Sequence, residues 1–212
     1  MSTSLIYRNA RGYELVMQVL YGRHYQARTR AVAAEVPEGS SVLELCCGPG
    51  TLYTRHLRGR VAHYIGLDVN GRFVEKLRRA GADAREIDLS ADKRPLPQAD
   101  VVIMQASLYH FLPDAEAIVK RMIAAARDRV IVSEPVRNLA SSELPVIGAL
   151  GRRAANPGVG DHGQRFTETT LDLLMQRHRP RVLKVSLIPG CREKVYVLDA
   201  RPPRRSGTGV DP

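Results

Sequence analysis

Residues 42–51, which read VLELCCGPGT, decide the fold of this chain. The apolar residues that open this stretch are typical of a fully buried parallel strand. The strand ends at 48–50, Gly-Pro-Gly, where the backbone must turn sharply, and Thr51 is the predicted N-cap of a helix over residues 52–57. A strand, a tight glycine turn and a helix in this order present bare backbone amides to a ligand at the helix N-terminus. The stretch therefore predicts a ligand-binding unit.

Two acidic residues indicate the kind of ligand. Asp68 ends a second apolar run and lies 20 residues beyond Gly48, where a carboxylate at the tip of the neighbouring strand would hydrogen-bond a ribose diol. A dinucleotide turn requires glycine where this chain has Tyr53. A pyrophosphate also gains nothing from Glu44 just before the turn, whereas a cationic ligand does. The residues favour a nucleoside that carries positive charge; a nicotinamide dinucleotide, or no cofactor at all, is the alternative.

Residues 42–50 resemble the first motif of class I S-adenosylmethionine-dependent methyltransferases, whose usual form is apolar-Leu-Asp/Glu-Leu-Gly-Cys-Gly-Thr-Gly. The chain departs from that form at Cys46, which stands where the family has its first glycine. Cysteine is small, so the methionine part of the cofactor can still approach closely. The resemblance continues through residues 64–68, 87–89 and 99–104, and it covers the chain from about residue 40 to about residue 135.

The resemblance implies S-adenosyl-L-methionine as the cofactor. Asp88 would accept a hydrogen bond from the exocyclic amine of adenine, with Leu89 packed against the ring; the alternative for Asp88 is a turn cap. Glu44 would organise the turn and the amino group of the methionine part, because close carboxylate pairing to the sulfur would oppose a reaction in which the donor loses its positive charge. The cofactor contacts that we expect are Glu44, Cys46, Gly48, Gly50, Asp68, Val69, Asp88, Leu89 and Gln105.

Strand and helix patterns alternate along the chain. Apolar runs predict strands near 63–67, 101–104 and 129–133, and a further strand is expected near 83–87. Amphipathic patterns predict helices over 72–79, from Pro113 to Ala126 and after an N-cap at Thr167. Residues 182–187 and 193–198 form a predicted hairpin, so the last strand runs antiparallel. The fold class is α/β: a Rossmann-like, doubly wound, seven-stranded sheet, mostly parallel with an antiparallel last strand and with helices on both faces.

The predicted organisation is a single methyltransferase domain over residues 1–200. Residues 9–35 form N-terminal cap helices. Tyr7, just before them, and Tyr13 and Tyr25 within them either close over the site or pack the helix on the sheet. Residues 136–166, a long and glycine-rich insertion, form a lid over the acceptor. The alternative for part of this segment is a membrane-surface patch suited to a lipid acceptor. Residues 201–212 form a disordered tail.

The residues that follow the fourth and fifth strands are the catalytic candidates, because ligands bind outside the carboxyl ends of parallel strands. His110 is the preferred base, since an imidazole titrates near neutral pH. Glu134 is the second candidate, and Tyr109 orients the acceptor. The alternative for His110 is a pocket wall without a proton role. Methyl transfer is an in-line displacement, to which alignment contributes much of the acceleration.

Composition limits the possible partners. The net charge of +10 invites a nucleic-acid interpretation, but the basic residues are spread along the chain and not gathered in one run. No run reaches the roughly 20 apolar residues of a membrane span, and the N-terminus lacks the apolar core of a signal peptide. We therefore expect a cytoplasmic location. The three cysteines have no metal-ligand spacing, so no metal is expected.

Three classes of function remain open from the sequence. A small-molecule methyltransferase is favoured, since SLYHF at 107–111 followed by Pro113-Asp114 resembles the ubiquinone and natural-product type. That type usually has Lys-Pro-Gly-Gly before the fifth strand, where this chain has 126–128, Ala-Arg-Asp. The base-flipping tetrapeptide of DNA methyltransferases is absent from the sequence. A nucleic-acid or protein methyltransferase is second, and a protein that binds the nucleoside without catalysis is third. The acceptor is expected to be a small molecule, apolar or lipid-like.

Overall fold

The structure is a computed structural model, and it describes residues 25–136, 164–188, 190 and 192–201. The strands are β1 (Ser41–Leu45), β2 (His63–Asp68), β3 (Asp83–Glu86), β4 (Ala99–Gln105), β5 (Ala126–Pro135), β6 (Val182–Leu187) and β7 (Glu193–Asp199). The helices are α1 (Tyr25–Ala34), α2 (Gly71–Arg79), α3 (Ala115–Ala125) and α4 (Glu168–Gln176). A π-helical turn covers Tyr53–Leu57, and 3₁₀ turns cover Leu108–Phe111 and Arg179–Arg181.

The strands form one seven-stranded sheet in the order β3-β2-β1-β4-β5-β7-β6. The pairs from β3 to β5 are parallel, and β7 runs antiparallel to both β5 and β6. The strand order reverses between β1 and β4, and such a switch point opens a crevice at the carboxyl ends of the strands. The predicted Rossmann-like sheet with an antiparallel last strand is confirmed.

Helices cover both faces of the sheet, as predicted. On one face, Val32 of α1 and Leu77 of α2 join a core with Val42, Ile103 and Ile131. On the other, Val119 of α3 and Leu171 of α4 pack with Leu43 and alternate residues of β4, β5 and β7. The two cores follow the alternation of side chains along each strand. We call these the α1 face and the α4 face.

Two predicted boundaries are wrong. Thr51 is not an N-cap, because the helix already includes it, and Gly50 accepts the first helical bond from the Thr54 amide at 2.9 Å. Ala126 was assigned to the helix that starts after Pro113, but its backbone is extended and it begins β5. Alanine favours a helix by propensity; here the pairing of Ala126 with Ala99 of β4 overrides that preference.

Several predictions fall outside the described residues. They are the cap-helix residues 9–24 with Tyr7 and Tyr13, most of the predicted lid (137–163), and the predicted tail from 202 onwards. No helix within the described ranges is long and apolar enough to cross a bilayer.

Candidate active site

The turn after β1 is sharp, as the sequence predicts. Gly48 and Gly50 have φ values of 55° and 75°, in the left-handed region that glycine adopts easily. Cys46 also lies there, at 52°. Asp68, at the end of β2, holds the turn: it accepts hydrogen bonds from the amides of Gly48 at 2.7 Å and Asn70 at 2.8 Å.

The two glycines differ in the space around them. A Cβ on Gly48 would meet nothing within 4 Å, whereas a Cβ on Gly50 would lie 2.2 Å from Cδ1 of the buried Leu77. Gly50 is therefore required by packing between the turn and α2. Gly48 instead faces open space at the carboxyl edge of the sheet. A nucleoside cofactor is expected next to this part of the turn. The turn at 46–50, which we call the cradle, therefore has room for such a group.

Glu44 lies beneath this turn on the α1 face and is only 2% exposed. Each of its carboxylate oxygens accepts a hydrogen bond: Oε2 from the Tyr64 hydroxyl at 2.5 Å, and Oε1 from the Gln105 amide at 2.9 Å. Burial raises the pKa of Glu44 to about 7, while these two hydrogen bonds oppose the rise. A positively charged group bound nearby would favour its ionised form.

Asp68, which is expected to hydrogen-bond the ribose, accepts one hydrogen bond on each carboxylate oxygen, and each oxygen can accept a second. Its carboxylate is buried. Burial raises the pKa of Asp68, and the hydrogen bonds from Asn70 and Gly48 counter this. The next residue, Val69, is 41% exposed, although a large apolar side chain is normally covered. Val69 thus offers apolar surface to a ring at this edge.

Asp88 and Leu89, the expected adenine contacts, both make contacts within the protein. Asp88 is half-buried, and its Oδ1 accepts from the Ser90 amide at 2.8 Å, which is the turn cap considered as the alternative. Leu89 is buried in the core of the α4 face.

The backbone after β4 is strained as well. Ala106 has φ of 49°, and its amide donates to the Ser133 carbonyl at 2.7 Å. Among the residues that the structure describes, Cys46 and Ala106 are the two non-glycine residues with positive φ. They end neighbouring strands, β1 and β4. Backbone strain of this kind clusters at active sites, and here it marks the switch-point crevice.

The 3₁₀ turn after Ala106 brings the catalytic candidates together. Tyr109 is buried and His110 half-buried, with their ring centroids 3.9 Å apart. The guanidinium carbon of Arg165 lies 3.6 Å from the Tyr109 ring centroid, a cation–π contact that the sequence did not predict. Arg165 falls in the segment predicted as a lid, so one end of that segment contacts the acceptor side of the crevice.

Glu134 lies below this turn on the α4 face and is 1% exposed. It accepts a hydrogen bond from the Leu108 amide at 3.0 Å. Burial raises its pKa to about 8, and the nearby carboxylate of Glu193 adds to the rise, while the Leu108 hydrogen bond opposes it. Glu134 therefore supports the turn that carries His110, and it has little surface for an acceptor.

The sequence interpretation missed a buried ion pair on the α1 face. The guanidinium Nε of Arg28 in α1 lies 2.6 Å from Oε1 of Glu193, the first residue of β7. Both side chains are buried, and Ser133 lies 3.5 Å from the same carboxylate. Its two residues lie far apart in the chain, so no local sequence pattern indicates the pair. The pair holds α1 at the carboxyl edge of the sheet.

Two further observations concern metal binding and a second cavity. In the described part of the chain, no cluster of three or more histidine, cysteine or acidic side chains could hold a metal ion. A separate cavity of about 370 Å³ lies at the opposite, amino edge of the sheet, against the first residues of β2 and β3, His63 and Asp83. None of the catalytic or cofactor candidates lines it.

Comparisons with known proteins agree with this geometry. A family model described as a methyltransferase domain matches residues 18–179. A search of curated protein sequences finds no match. Among solved structures, magnesium protoporphyrin IX methyltransferase from Synechocystis, with bound S-adenosylhomocysteine, aligns with a TM-score of 0.65 and 18% identity over 92% of this chain and 96% of its own.

Two other methyltransferase structures are similar. One, from Thermotoga maritima and described as a possible histamine N-methyltransferase, has a TM-score of 0.64 and 15% identity over 92% of this chain and 98% of its own. The other is an O-methyltransferase from Planctomyces limnophilus in complex with apigenin, with a TM-score of 0.57 and 15% identity over 91% of this chain and 62% of its own. At such identities the likeness shows the fold, and the family model shows the family. The chain belongs to the methyltransferase-domain family and is an S-adenosylmethionine-dependent methyltransferase.

Proposed function

We propose that this enzyme methylates a small-molecule acceptor, apolar or lipid-like, at an oxygen, nitrogen or carbon nucleophile. The observation that carries the proposal is the crevice between β1 and β4, which Cys46 and Ala106 border with strained backbone and which is open at Gly48. Two of the similar structures support a small acceptor, because magnesium protoporphyrin IX and apigenin are the compounds in their names.

The residues of the crevice fit the cofactor. The turn at 46–50 would hold the methionine part, with Glu44 and Gln105 beneath its amino group. Val69 would cover the nucleoside, and Asp68 would accept a hydrogen bond from the ribose while it keeps the turn closed through the Gly48 amide. Asp88 and Leu89 remain the proposed adenine contacts. When bound, the cofactor supplies a methyl group on a positively charged sulfur.

The acceptor side is formed by the turn after β4. His110 is the proposed base for the proton of a hydroxyl or amine acceptor. Tyr109, held between His110 and Arg165, would orient the acceptor. Glu134 remains a second candidate, but its burial and its bond to Leu108 favour a supporting role. The segment 136–166 remains the proposed lid, and its last residues meet this side through Arg165.

The experiment that tests the acceptor class uses cofactor with a labelled methyl group. Purified enzyme is incubated with cell extract separated into small-molecule, RNA and protein fractions. We expect label in the small-molecule fraction, in a product extractable into organic solvent. The Gly48→Ala variant, with a methyl group in the turn at 46–50, should bind cofactor more weakly and transfer less label at limiting cofactor. Enzyme-dependent label confined to RNA or protein would overturn the proposal, and the net charge of +10 makes RNA the fraction to compare most carefully.

A further inference from the structure

The side chain of Tyr64 connects β2 to the carboxylate beneath the cofactor turn. Tyr64 is buried, and its hydroxyl donates to Oε2 of Glu44 at 2.5 Å. Burial, followed by the charge of Glu44, raises the pKa of the Tyr64 hydroxyl well above its ordinary value. The hydroxyl therefore stays protonated, and remains a donor, at any pH at which the enzyme is assayed.

Two neighbours keep the Tyr64 ring in this position. Gly66 pairs directly with Glu44 in the sheet, and a Cβ on Gly66 would lie 3.2 Å from Cε1 of Tyr64 and 2.9 Å from Sγ of Cys47. The missing side chain at Gly66 thus leaves the space in which the ring lies. The ring of Tyr53, from the π-helical turn, packs against Tyr64 with centroids 4.5 Å apart. The hydroxyl is aimed at Glu44 by packing on both sides.

We propose that Tyr64 is a positioning residue for cofactor binding, which acts through Glu44: its hydrogen bond keeps this carboxylate in its charged form beneath the positively charged amino group of the methionine part. This inference rests on the proposed role of Glu44. Gln105 donates to the other oxygen, so Tyr64 and Gln105 together fix the plane of the carboxylate. Tyr64 itself neither carries the charge that faces the amino group nor contacts the nucleoside.

The surroundings of Glu44 make the effect depend on pH. The titratable groups that face it are Tyr64 and Asp68 from β2 and the thiols of Cys46 and Cys47 from the turn. Burial raises the pKa values of both thiols, which stay neutral near pH 7. Arg28, a buried cation on the same face, is paired with Glu193. The Tyr64 hydrogen bond opposes the rise in the Glu44 pKa, so removing it moves that pKa upward from about 7.

The test is calorimetric binding of S-adenosylhomocysteine to the wild-type enzyme and to Tyr64→Phe. Phenylalanine keeps the ring and removes only the donor. If the Glu44 pKa rises by about one unit, the ionised fraction at pH 7 falls about fivefold, and we expect Kd to rise by about the same factor. The ratio of the two Kd values should shrink to below about 1.5 at pH 8.5, where Glu44 is mostly ionised in both proteins.

Two further variants separate the inference from a packing effect. Tyr53→Phe removes the hydroxyl of the neighbouring ring and should leave Kd unchanged at both pH values. In a Glu44→Gln background, Tyr64→Phe should add no further loss, because the group through which it acts is no longer ionisable. An equal loss at both pH values, or an additive loss in the double variant, would overturn the inference. If the wild-type enzyme itself fails to bind S-adenosylhomocysteine, the proposed cradle fails instead.

Discussion

Gly48 and Gly50 both have positive φ, but only Gly48 has space for a side chain. Gly48→Ala should lower the free energy of unfolding by only about 1 kcal/mol, the cost of a left-handed alanine. Gly50→Ala adds an overlap with the fully buried Leu77 and should cost about 3 kcal/mol or more. Urea unfolding measures both values.

The same pair separates packing from cofactor binding. The methyl group of Gly48→Ala enters the cradle, so S-adenosylhomocysteine affinity should fall at least about tenfold in a protein that is still folded. Similar losses of stability in the two variants would mean that Gly48 faces protein and not the cofactor.

His110 is the residue on which the proposed proton transfer depends. For a hydroxyl or amine acceptor, His110→Ala should lower kcat by about 10²- to 10⁴-fold, because loss of a general base has this effect. Cofactor affinity should stay nearly constant, since His110 belongs to the turn after β4 and not to the cradle. Steady-state kinetics and calorimetry measure the two quantities. Full turnover of the variant from about pH 6 to about pH 9 would reduce His110 to a pocket wall.

At this scale the sequence predicted which residue types lie at the carboxyl edge, because strand order and glycine spacing bring them there. It did not predict what each side chain binds. Asp68 closes the turn, and Glu134 supports the 3₁₀ turn, through amides whose positions depend on local backbone geometry. The Arg28–Glu193 pair joins residues far apart in the chain, and no local pattern signals it.

At the scale of elements, α4 is attached to β7 through one lysine. Lys194 Nζ lies 2.8 Å from Asp172 and 3.1 Å from Glu168, and the Tyr196 hydroxyl donates to the same aspartate. Lys194 is 11% exposed, whereas Lys184, paired with Glu35 at 2.6 Å, is 55% exposed. The two lysines lie on the same β6–β7 hairpin and so form a matched pair.

Lys194→Met should lower the free energy of unfolding by about 1 to 2 kcal/mol, because two partly exposed carboxylates lose a nearly buried partner. Lys184→Met should change it by less than about 0.5 kcal/mol, since an exposed ion pair contributes little. Denaturant titration at low and high salt measures the difference. If the two substitutions lower the free energy of unfolding equally, the contacts that Lys194 makes between α4 and β7 contribute no more than a surface ion pair.

Element boundaries show where sequence patterns are insufficient. The N-cap at Thr167 and the β6–β7 hairpin were predicted from local chemistry and are present. The end of α3 was not, because Ala126 has no intrinsic stop signal and sheet pairing decides its conformation. The π-helical turn, closed by the bond from the Arg58 amide to the Tyr53 carbonyl at 2.8 Å, has no sequence signal either.

For the whole molecule, two buried carboxyl groups set how stability depends on pH. The pKa values of Glu44 and Glu134 rise from an ordinary 4.5 to about 7 and about 8 through burial. Below these values the folded protein keeps protons that the unfolded chain has released, so stability falls as pH rises through this range and levels off above it. Between pH 6.5 and 8.5, Glu134 alone should account for a fall of about 2 kcal/mol.

Glu134→Gln should remove most of its share of that fall, measured as the free energy of unfolding without cofactor at several pH values. Glu116→Gln is the control. Hydrogen bonds from Lys120 and Arg177 lower the pKa of Glu116 to about 2, so Glu116 is ionised in the folded and unfolded states across this pH window. Its substitution should therefore change the free energy of unfolding by the same amount at each pH and leave its dependence on pH unchanged. An unchanged slope in Glu134→Gln would mean that Glu134 is solvated in the folded protein.

The central claim is that the cofactor lies at the carboxyl edge of the sheet, against the turn at 46–50 and the segment 105–109. Hydrogen–deuterium exchange with and without S-adenosylhomocysteine tests this directly. We expect slower exchange in peptides that contain these two segments, and no change at the amino edge around 59–63 and 81–83, where the separate cavity lies. Protection at the amino edge without protection of 46–50 would contradict it.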